Sequence, residues 1–392
     1  MANLLWGKVY FNDVFSGILR EEPGGGVSFA YDESYLDLNL SPVAHTLPLQ
    51  EDLYISHAGL HPFFDNLVAE GWLESAQTRL LGKRTASRFE LLLTFGQDCA
   101  GGVSVTDPES TGLSEKMIDK TDQKEIALLT NRASLSGVQP KLTLIEKNGK
   151  LIPTRVGELS THIAKFPSPE HPDLIINEYL TTKAFQALLP DDDVVPMEIR
   201  EVDGFSEPAL VVKRFDRLDG KRIHFEEFNQ LLNKKSTNKY EGSYKDMADF
   251  IQVTTTCLPV EVYRLFGRVL AGFLLGNTDM HLKNFAMFHT TSGLRLTPSY
   301  DQVSAVLYGY RTVALSIGGA NDLRIGDLKP KNIKKLSEEF SLSESALTMM
   351  INHLSRRKEI AKQLLLEEKI GSLFFKNQLI QFMEARWNGT FA

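Results

Sequence analysis

GNTDMHLKNFAMF, residues 276–288, sets Asn277, Asp279, His281, Lys283 and Asn284 directly behind a run of apolar residues, and its reading decides the fold. Upstream, Val262, Leu265, Phe266, Val269, Leu270, Phe273 and Leu274 recur at i, i+3, i+4 spacing, the continuous stripe of a buried helix. Gly276 follows, the residue type best suited to the left-handed turn past a helix end. The spacing predicts a helix over 261–275 and a polar loop mounted rigidly on it. Downstream, FAMFHT, a Thr-Thr-Ser-Gly turn and LRLTPSY read as a hairpin that delivers Asp301, seventeen residues after Asn284.

Asp279 and Asn284 stand five residues apart, as do the Asp and Asn of the protein-kinase catalytic loop, where Asp accepts the hydroxyl proton and Asn holds a metal. A carboxylate and a carboxamide oxygen are hard donors suited to Mg²⁺. Singly, Asp279 reads as a turn residue, Asn284 as an Asx turn and Asp301 as a strand-end cap. The ordered trio on helix, loop and hairpin favours a site. His281 has no second His or Cys at ligand spacing, since His289 falls on the next strand, so zinc is not favoured. It is expected to pack under the loop and bond its backbone, and it is grouped with the nucleotide-binding candidates. Lys283 reads either as a charge that neutralises a transferred phosphate or as a surface lysine.

A nucleotide also needs a clamp. Ser134-Leu-Ser-Gly-Val-Gln-Pro-Lys141 precedes a predicted strand, and its Gly137 lets backbone amides approach phosphate oxygens. GK[ST] is absent, so this is not a Walker A loop. Gly137, Val138, Gln139 and Lys141 are the candidate contacts. Lys165, in the strand THIAKFP, is either a phosphate-binding lysine or an edge-strand lysine. Glu178, on the next helix, is the candidate to orient it.

The 392 residues exceed one compact domain, and 24% charged with 42% apolar residues are ordinary globular proportions. No window approaches a membrane span, and MANLLWGKVYFND lacks the pattern of an export signal. A cytoplasmic protein without a membrane partner is expected. Cys99 and Cys257 lie in no CxxC or Cys/His cluster and read as reduced structural thiols. The net charge of -7 is carried by residues 1–105, with 6 Lys+Arg against 13 Asp+Glu; the rest is balanced, so an overall basic footprint for nucleic acid is missing. The local patch Lys329–Lys335 reads as a solvated surface turn.

Strands LLWGKVYF, VFSGILR and VSFAY, with Glu22–Gly26 as a hairpin turn rather than a phosphate loop, precede helical patterns at 63–81 and 87–95. Residues 106–125 are polar and linker-like. KLTLIEK and KLIPTRV flank Asn148-Gly149, a hairpin signal. PALVVKRF is a further strand after a helix at about 173–189. Helices are expected over 332–355 and 357–390.

THIAKFP, Asn177-Glu178-Tyr179, VVKRFDR, GNTDMHLKNFA and LTPSYDQVSA, with DCAGGVSV at 98–105, resemble the HipA-type serine/threonine kinases, toxins of bacterial type II toxin-antitoxin systems. The resemblance spans nearly the whole chain. It implies an α+β, bilobal protein-kinase-like fold: an N-terminal α+β subdomain (1–105), a linker (106–130), a small β-rich lobe (131–215) and a larger helical lobe (216–392), with ATP and Mg²⁺ between the lobes. It implies Asp279 as catalytic base, Asn284 and Asp301 as magnesium ligands, Lys165 on the ATP phosphates and the backbone from Lys213 to Phe215 as adenine hinge. Lys213 departs from an acidic residue common there. Ser134 matches the serine that such kinases autophosphorylate, and Ser136 completes a Ser-x-Ser pair. The implied partners are a helix-turn-helix antitoxin, operator DNA indirectly through it, and a protein substrate, an aminoacyl-tRNA synthetase. Rival readings are a nucleotide-binding co-repressor or scaffold with little turnover, and a kinase of a small molecule or lipid.

Overall fold

Residues 4–108, 139–154, 158–167, 170, 171 and 173–392 are described by the structure, a computed structural model. The chain sorts into two compact units: Met1–Ser168 with Met197–Ser236, and Pro169–Pro196 with Thr237–Ala392. The linker expected at 106–130 falls largely outside the described residues, as do Ser134, Ser136, Gly137 and Val138.

The first unit holds two five-stranded sheets. In the first, β1 (Trp6–Phe11), β2 (Val14–Glu21), β3 (Val27–Tyr31), β4 (Tyr54–Ser56) and β5 (Val103–Thr106) take the order β4-β3-β2-β1-β5. Alternation along β1 turns Val9 and Phe11 into a core shared with Phe29, Phe63, Phe64 and Phe95. The glycines of the Glu22–Gly26 turn include Gly24 and Gly25 at positive φ with open space around them, a hairpin corner and not a cradle. The helical pattern predicted over 63–81 is two helices, Pro62–Asp65 and Gly71–Leu80. Gly71, at φ 61°, sits at the break.

In the second sheet, β6 (Lys141–Lys147), β7 (Lys150–Pro153), β8 (His162–Lys165), β9 (Met197–Arg200) and β10 (Ala209–Lys213) take the order β7-β6-β8-β10-β9. Asn148 and Gly149 turn the β6–β7 corner at φ 53° and 76°, both left-handed as the dipeptide predicts. Strand β9 was not among the predicted elements; its half-exposed MEIR gives little apolar alternation.

A buried charge network ties the N-terminal segment to the chain just after β10. Arg217 donates to Asp98 Oδ1 at 2.8 Å and to Asp216 Oδ2 at 2.7 Å, and Arg214 donates to Asp216 Oδ2 at 2.6 Å and Ser160 Oγ at 2.8 Å. Gly101 N–H also donates to Asp216 Oδ2, at 2.8 Å. Burial alone would raise both carboxyls, but the charges of Arg214 and Arg217 outweigh it and hold Asp98 and Asp216 below the ordinary carboxylate value.

The second unit is mainly helical. Helices Leu174–Leu188, Tyr244–Val253, Val260–Leu275, Pro330–Glu339, Glu344–Glu367 and Leu373–Arg386 accompany a hairpin of Ala286–Thr290 with Gly293–Leu296. In the central Val260–Leu275 helix, Leu265, Phe266, Val269, Leu270, Phe273 and Leu274 are buried, as the stripe predicts. The two helices expected over 332–355 and 357–390 are three, with no break near 356 but one at 340–343, where Ser341 turns left-handed at φ 53° and Ser343 caps the following helix through Ala346 N–H, and another at 368–372. The Lys329–Lys335 stretch is not a turn but the start of a helix whose Ile333 and Leu336 are buried. Among the described residues no helix is long and apolar enough to cross a membrane.

Asp98→Ala leaves Asp216 as the one carboxylate between the buried Arg214 and Arg217 guanidinium groups, so it should cost about 3–5 kcal/mol of stability by denaturant unfolding. Both network carboxyls titrate below their unfolded value, so their contribution is fully present above about pH 4 and is lost as pH falls through the lowered folded pKa values. The wild-type unfolding midpoint should drop below that pH, and Asp98→Ala should flatten the drop.

Candidate active site

The loop after the central helix begins with a capped end. Gly276 adopts φ 77°, ψ 24°, its N–H bonds to the Phe273 carbonyl and Asn277 N–H bonds to the Gly272 carbonyl at 2.9 Å, a Schellman pattern. Only glycine fits: an added Cβ would lie 2.5 Å from Val306 Cγ1, 2.7 Å from Phe382 Cε1 and 2.9 Å from Ser304 Oγ. The helix is itself anchored to the hairpin by its polar side, since Arg268 donates to Asp192 Oδ1 at 2.7 Å and to the Thr297 carbonyl at 2.8 Å, while Glu261 accepts Leu296 N–H.

Inside the loop, nearly every polar group is engaged. Asn277 Oδ1 accepts Asp279 N–H at 3.1 Å, and its Nδ2 reaches Gln302 Oε1 at 3.3 Å, joining the loop to the segment that carries Asp301. The Asp279 carbonyl accepts His281 N–H at 2.8 Å and Asn284 Nδ2 at 2.9 Å. His281 Nδ1 accepts Lys283 N–H at 3.3 Å, the backbone bond expected of it. The Lys283 carbonyl accepts the Tyr300 hydroxyl at 2.8 Å. Lys283 is only 2% exposed, so it is not a surface lysine.

Asp279 opens to solvent at one side, yet protein encloses it closely enough that desolvation raises its pKa above the ordinary aspartate value. The nearby negative charge of Asp301 pushes the same way, while a hydrogen bond from the Tyr240 hydroxyl to Asp279 Oδ1 at 2.8 Å and the charge of Lys239 oppose it. The two carboxylates are thus close enough to feel each other. Asp301 itself turns left-handed at φ 51°. Asn177 fixes the chain just beyond it: its Oδ1 accepts Ser304 N–H at 2.8 Å and its Nδ2 donates to the Ser304 carbonyl at 3.1 Å.

Asp279, His281, Lys283, Asn284 and Asp301 therefore come together in the second unit. Gln139, Lys141, Lys165, Lys213 and Phe215 belong to the first. Gln139 Nε2 donates to the Phe166 carbonyl at 2.8 Å. Lys141 and Lys165 are direct cross-strand partners on β6 and β8, so their side chains share one face of the sheet. Lys213 is exposed at the end of β10, and the Phe215 ring packs edge-on against Phe225. Glu178 is buried in the Leu174–Leu188 helix, in the other unit from Lys165. Tyr240 and Asn177 were not read from sequence as site residues. Tyr240 lies 39 positions from its carboxylate partner and Asn177 lies 127 from its own, so no local spacing signals either.

A family model described as HipA-like C-terminal domain matches residues 133–362, and one described as HipA N-terminal domain matches residues 7–106. The chain belongs to the HipA family of serine/threonine kinases. The serine/threonine-protein kinase toxin HipA of Shewanella oneidensis is 30% identical over 302 residues, 68% of this chain and 67% of that protein. The Y4mE protein of Sinorhizobium fredii is 28% identical over 366 residues, 86% of this chain and 82% of that one. Among solved structures, HipA in the Shewanella oneidensis complex of HipA, HipB and operator DNA matches with a TM-score of 0.76 at 22% identity, covering 96% of both chains. The expected α+β, protein-kinase-like HipA fold and the kinase class are borne out.

Gly276→Ala should both strain the left-handed turn and push on the 304–306 segment, losing about 1–3 kcal/mol in thermal unfolding together with kinase activity. Gly309→Ala is the control: at φ 88° with open space around it, it should lower stability by about 1–2 kcal/mol and leave the catalytic rate in place.

Proposed function

We propose that this HipA-family kinase is an ATP- and Mg²⁺-dependent toxin whose base is Asp279 and whose metal ligands are Asn284 and Asp301. The observation that carries this is the Asp279 carboxylate, open to solvent at one side on a loop held by the Asn277 and Asn284 side chains, with its pKa raised by partial desolvation and by the charge of Asp301. The donor set fits magnesium. Asn284 commits its amide nitrogen to the Asp279 carbonyl, which leaves its oxygen as the end offered to a cation, and Asp301 adds a second hard oxygen donor. When bound, Mg²⁺ offsets negative charge on the triphosphate.

The residues then act by position. Asp279 accepts the proton of a serine or threonine hydroxyl while that oxygen bonds to the γ-phosphorus of ATP. The bond from the γ-phosphorus to the bridging oxygen breaks and ADP leaves. Lys165 holds the phosphates, with Gln139, Lys141, Gly137 and Val138 as the clamp. Lys141 and Lys165 are direct cross-strand partners on one face of the sheet, so both lie on the side given to the phosphates, which supports this assignment. Main-chain groups from Lys213 to Phe215 receive adenine. Lys283 and His281, both buried under the loop, hold its shape beside the nucleotide.

The acceptor is a protein of the translation apparatus, an aminoacyl-tRNA synthetase, and Ser134 or Ser136 receives phosphate in self-modification, adding close to two negative charges where ATP phosphates would bind. A helix-turn-helix antitoxin neutralises the kinase and links it indirectly to operator DNA. The toxin name of the Shewanella relative, and the HipB and operator DNA in the complex of its structural counterpart, support this reading.

Purified protein incubated with labelled ATP and a cell extract should transfer label to protein, and Asp279→Asn should reduce transfer by roughly 10²–10⁴-fold. Label in a small-molecule or lipid fraction, or undiminished transfer by the variant, would contradict the proposal. Phosphopeptide mapping should find Ser134 or Ser136 modified in the wild type and not in Asp279→Asn.

A further inference from the structure

Tyr240 is absent from every role assigned above, yet its hydroxyl donates to Asp279 Oδ1 at 2.8 Å. That is the bond, in distance and in direction of donation, that an acceptor hydroxyl makes to a general base. We propose that Tyr240 is a resting-state stand-in for the acceptor, a positioning residue that covers the base against water until a protein hydroxyl displaces it. This rests on Asp279 being the base.

The surroundings fit a removable cover. Tyr240 is 50% exposed, so its ring can swing outward without opening a core. Its backbone is held on both flanks: the Lys239 carbonyl accepts Leu282 N–H at 3.1 Å, Glu241 N–H bonds to the Asn238 carbonyl at 2.9 Å and Ser316 N–H bonds to the Gly242 carbonyl at 3.1 Å. Release is therefore a side-chain rotation rather than a loop movement. In the resting position the ring meets His281 edge to face at 5.0 Å and the Lys239 ammonium stands 5.7 Å from its centroid. These contacts guide the ring back, and neither requires its hydroxyl.

A kinase whose base faces solvent risks hydrolysing ATP. Water would attack the γ-phosphorus, its proton would pass to Asp279, the bond to the bridging oxygen would break, and ADP and inorganic phosphate would leave. A phenol on Oδ1 takes the place that water needs. A carbon-bound hydrogen cannot.

Tyr240→Phe keeps the ring and removes the hydroxyl. With ATP, Mg²⁺ and no acceptor, ADP release by the variant should rise roughly threefold to thirtyfold over wild type, the range expected from losing one hydrogen bond to a charged group at a partly exposed site. Adding Asp279→Asn should return the rate to the wild-type level or below, with an unchanged melting temperature for Tyr240→Phe. An unchanged or lower rate in Tyr240→Phe overturns the proposal, as does a rise that persists in the double variant. Failure of the base assignment reads out separately, as transfer of label to extract proteins by Asp279→Asn alone.

Discussion

The left-handed turn at Gly276 is the constraint on which the site depends. A helix that is apolar along its length has to stop at a fixed point for the next residues to be polar and still ordered, and the Schellman bonds to Gly272 and Phe273 set that point. The close approach of Val306, Phe382 and Ser304 to Gly276 means that the same residue also locates the segment following Asp301. One glycine thus positions both the loop of Asp279 and Asn284 and the segment of Asp301, and Asn277 and Asn177 hold them with side-chain bonds to backbone and to Gln302.

A similar logic explains the acidic N-terminal segment. Asp98 is used internally. With Asp216 it neutralises Arg214 and Arg217 immediately after the last strand of the second sheet. Further along the same stretch, Asn229 donates to Asn66 and Ser236 N–H donates to Asp65. The segment is a buttress for residues 214–236. Buried ion pairs of this kind contribute modest net stability but penalise any arrangement that separates them, which favours one register over its neighbours.

The range of each interaction decides how much of it the sequence makes legible. Val262 to Leu274 carry their periodicity within one helix, Asn148-Gly149 carries its turn within two residues, and the hairpin leading to Asp301 announces itself through its alternation and its Ser-Gly corner. The trio of Asp279, Asn284 and Asp301 is therefore readable. By contrast, Ser341 turns left-handed where a glycine would have been the local signal, so the helix break near 340 is invisible in composition. Lys283 is buried with its backbone bonded to Tyr300 and His281, and Tyr240 meets Asp279 beside a bond from Leu282 N–H to the Lys239 carbonyl. Those pairings are tertiary, and no spacing rule reaches them.

The central claim is that the oxygen of Asn284 and the carboxylate of Asp301 form one cation site beside Asp279. Crystals grown with Mn²⁺ and a non-hydrolysable ATP analogue test it directly through the anomalous signal of the metal. The account predicts a manganese peak within coordination distance of about 2–2.5 Å of both residues. Manganese bound elsewhere, with Asn284 and Asp301 contacting no metal, would contradict it.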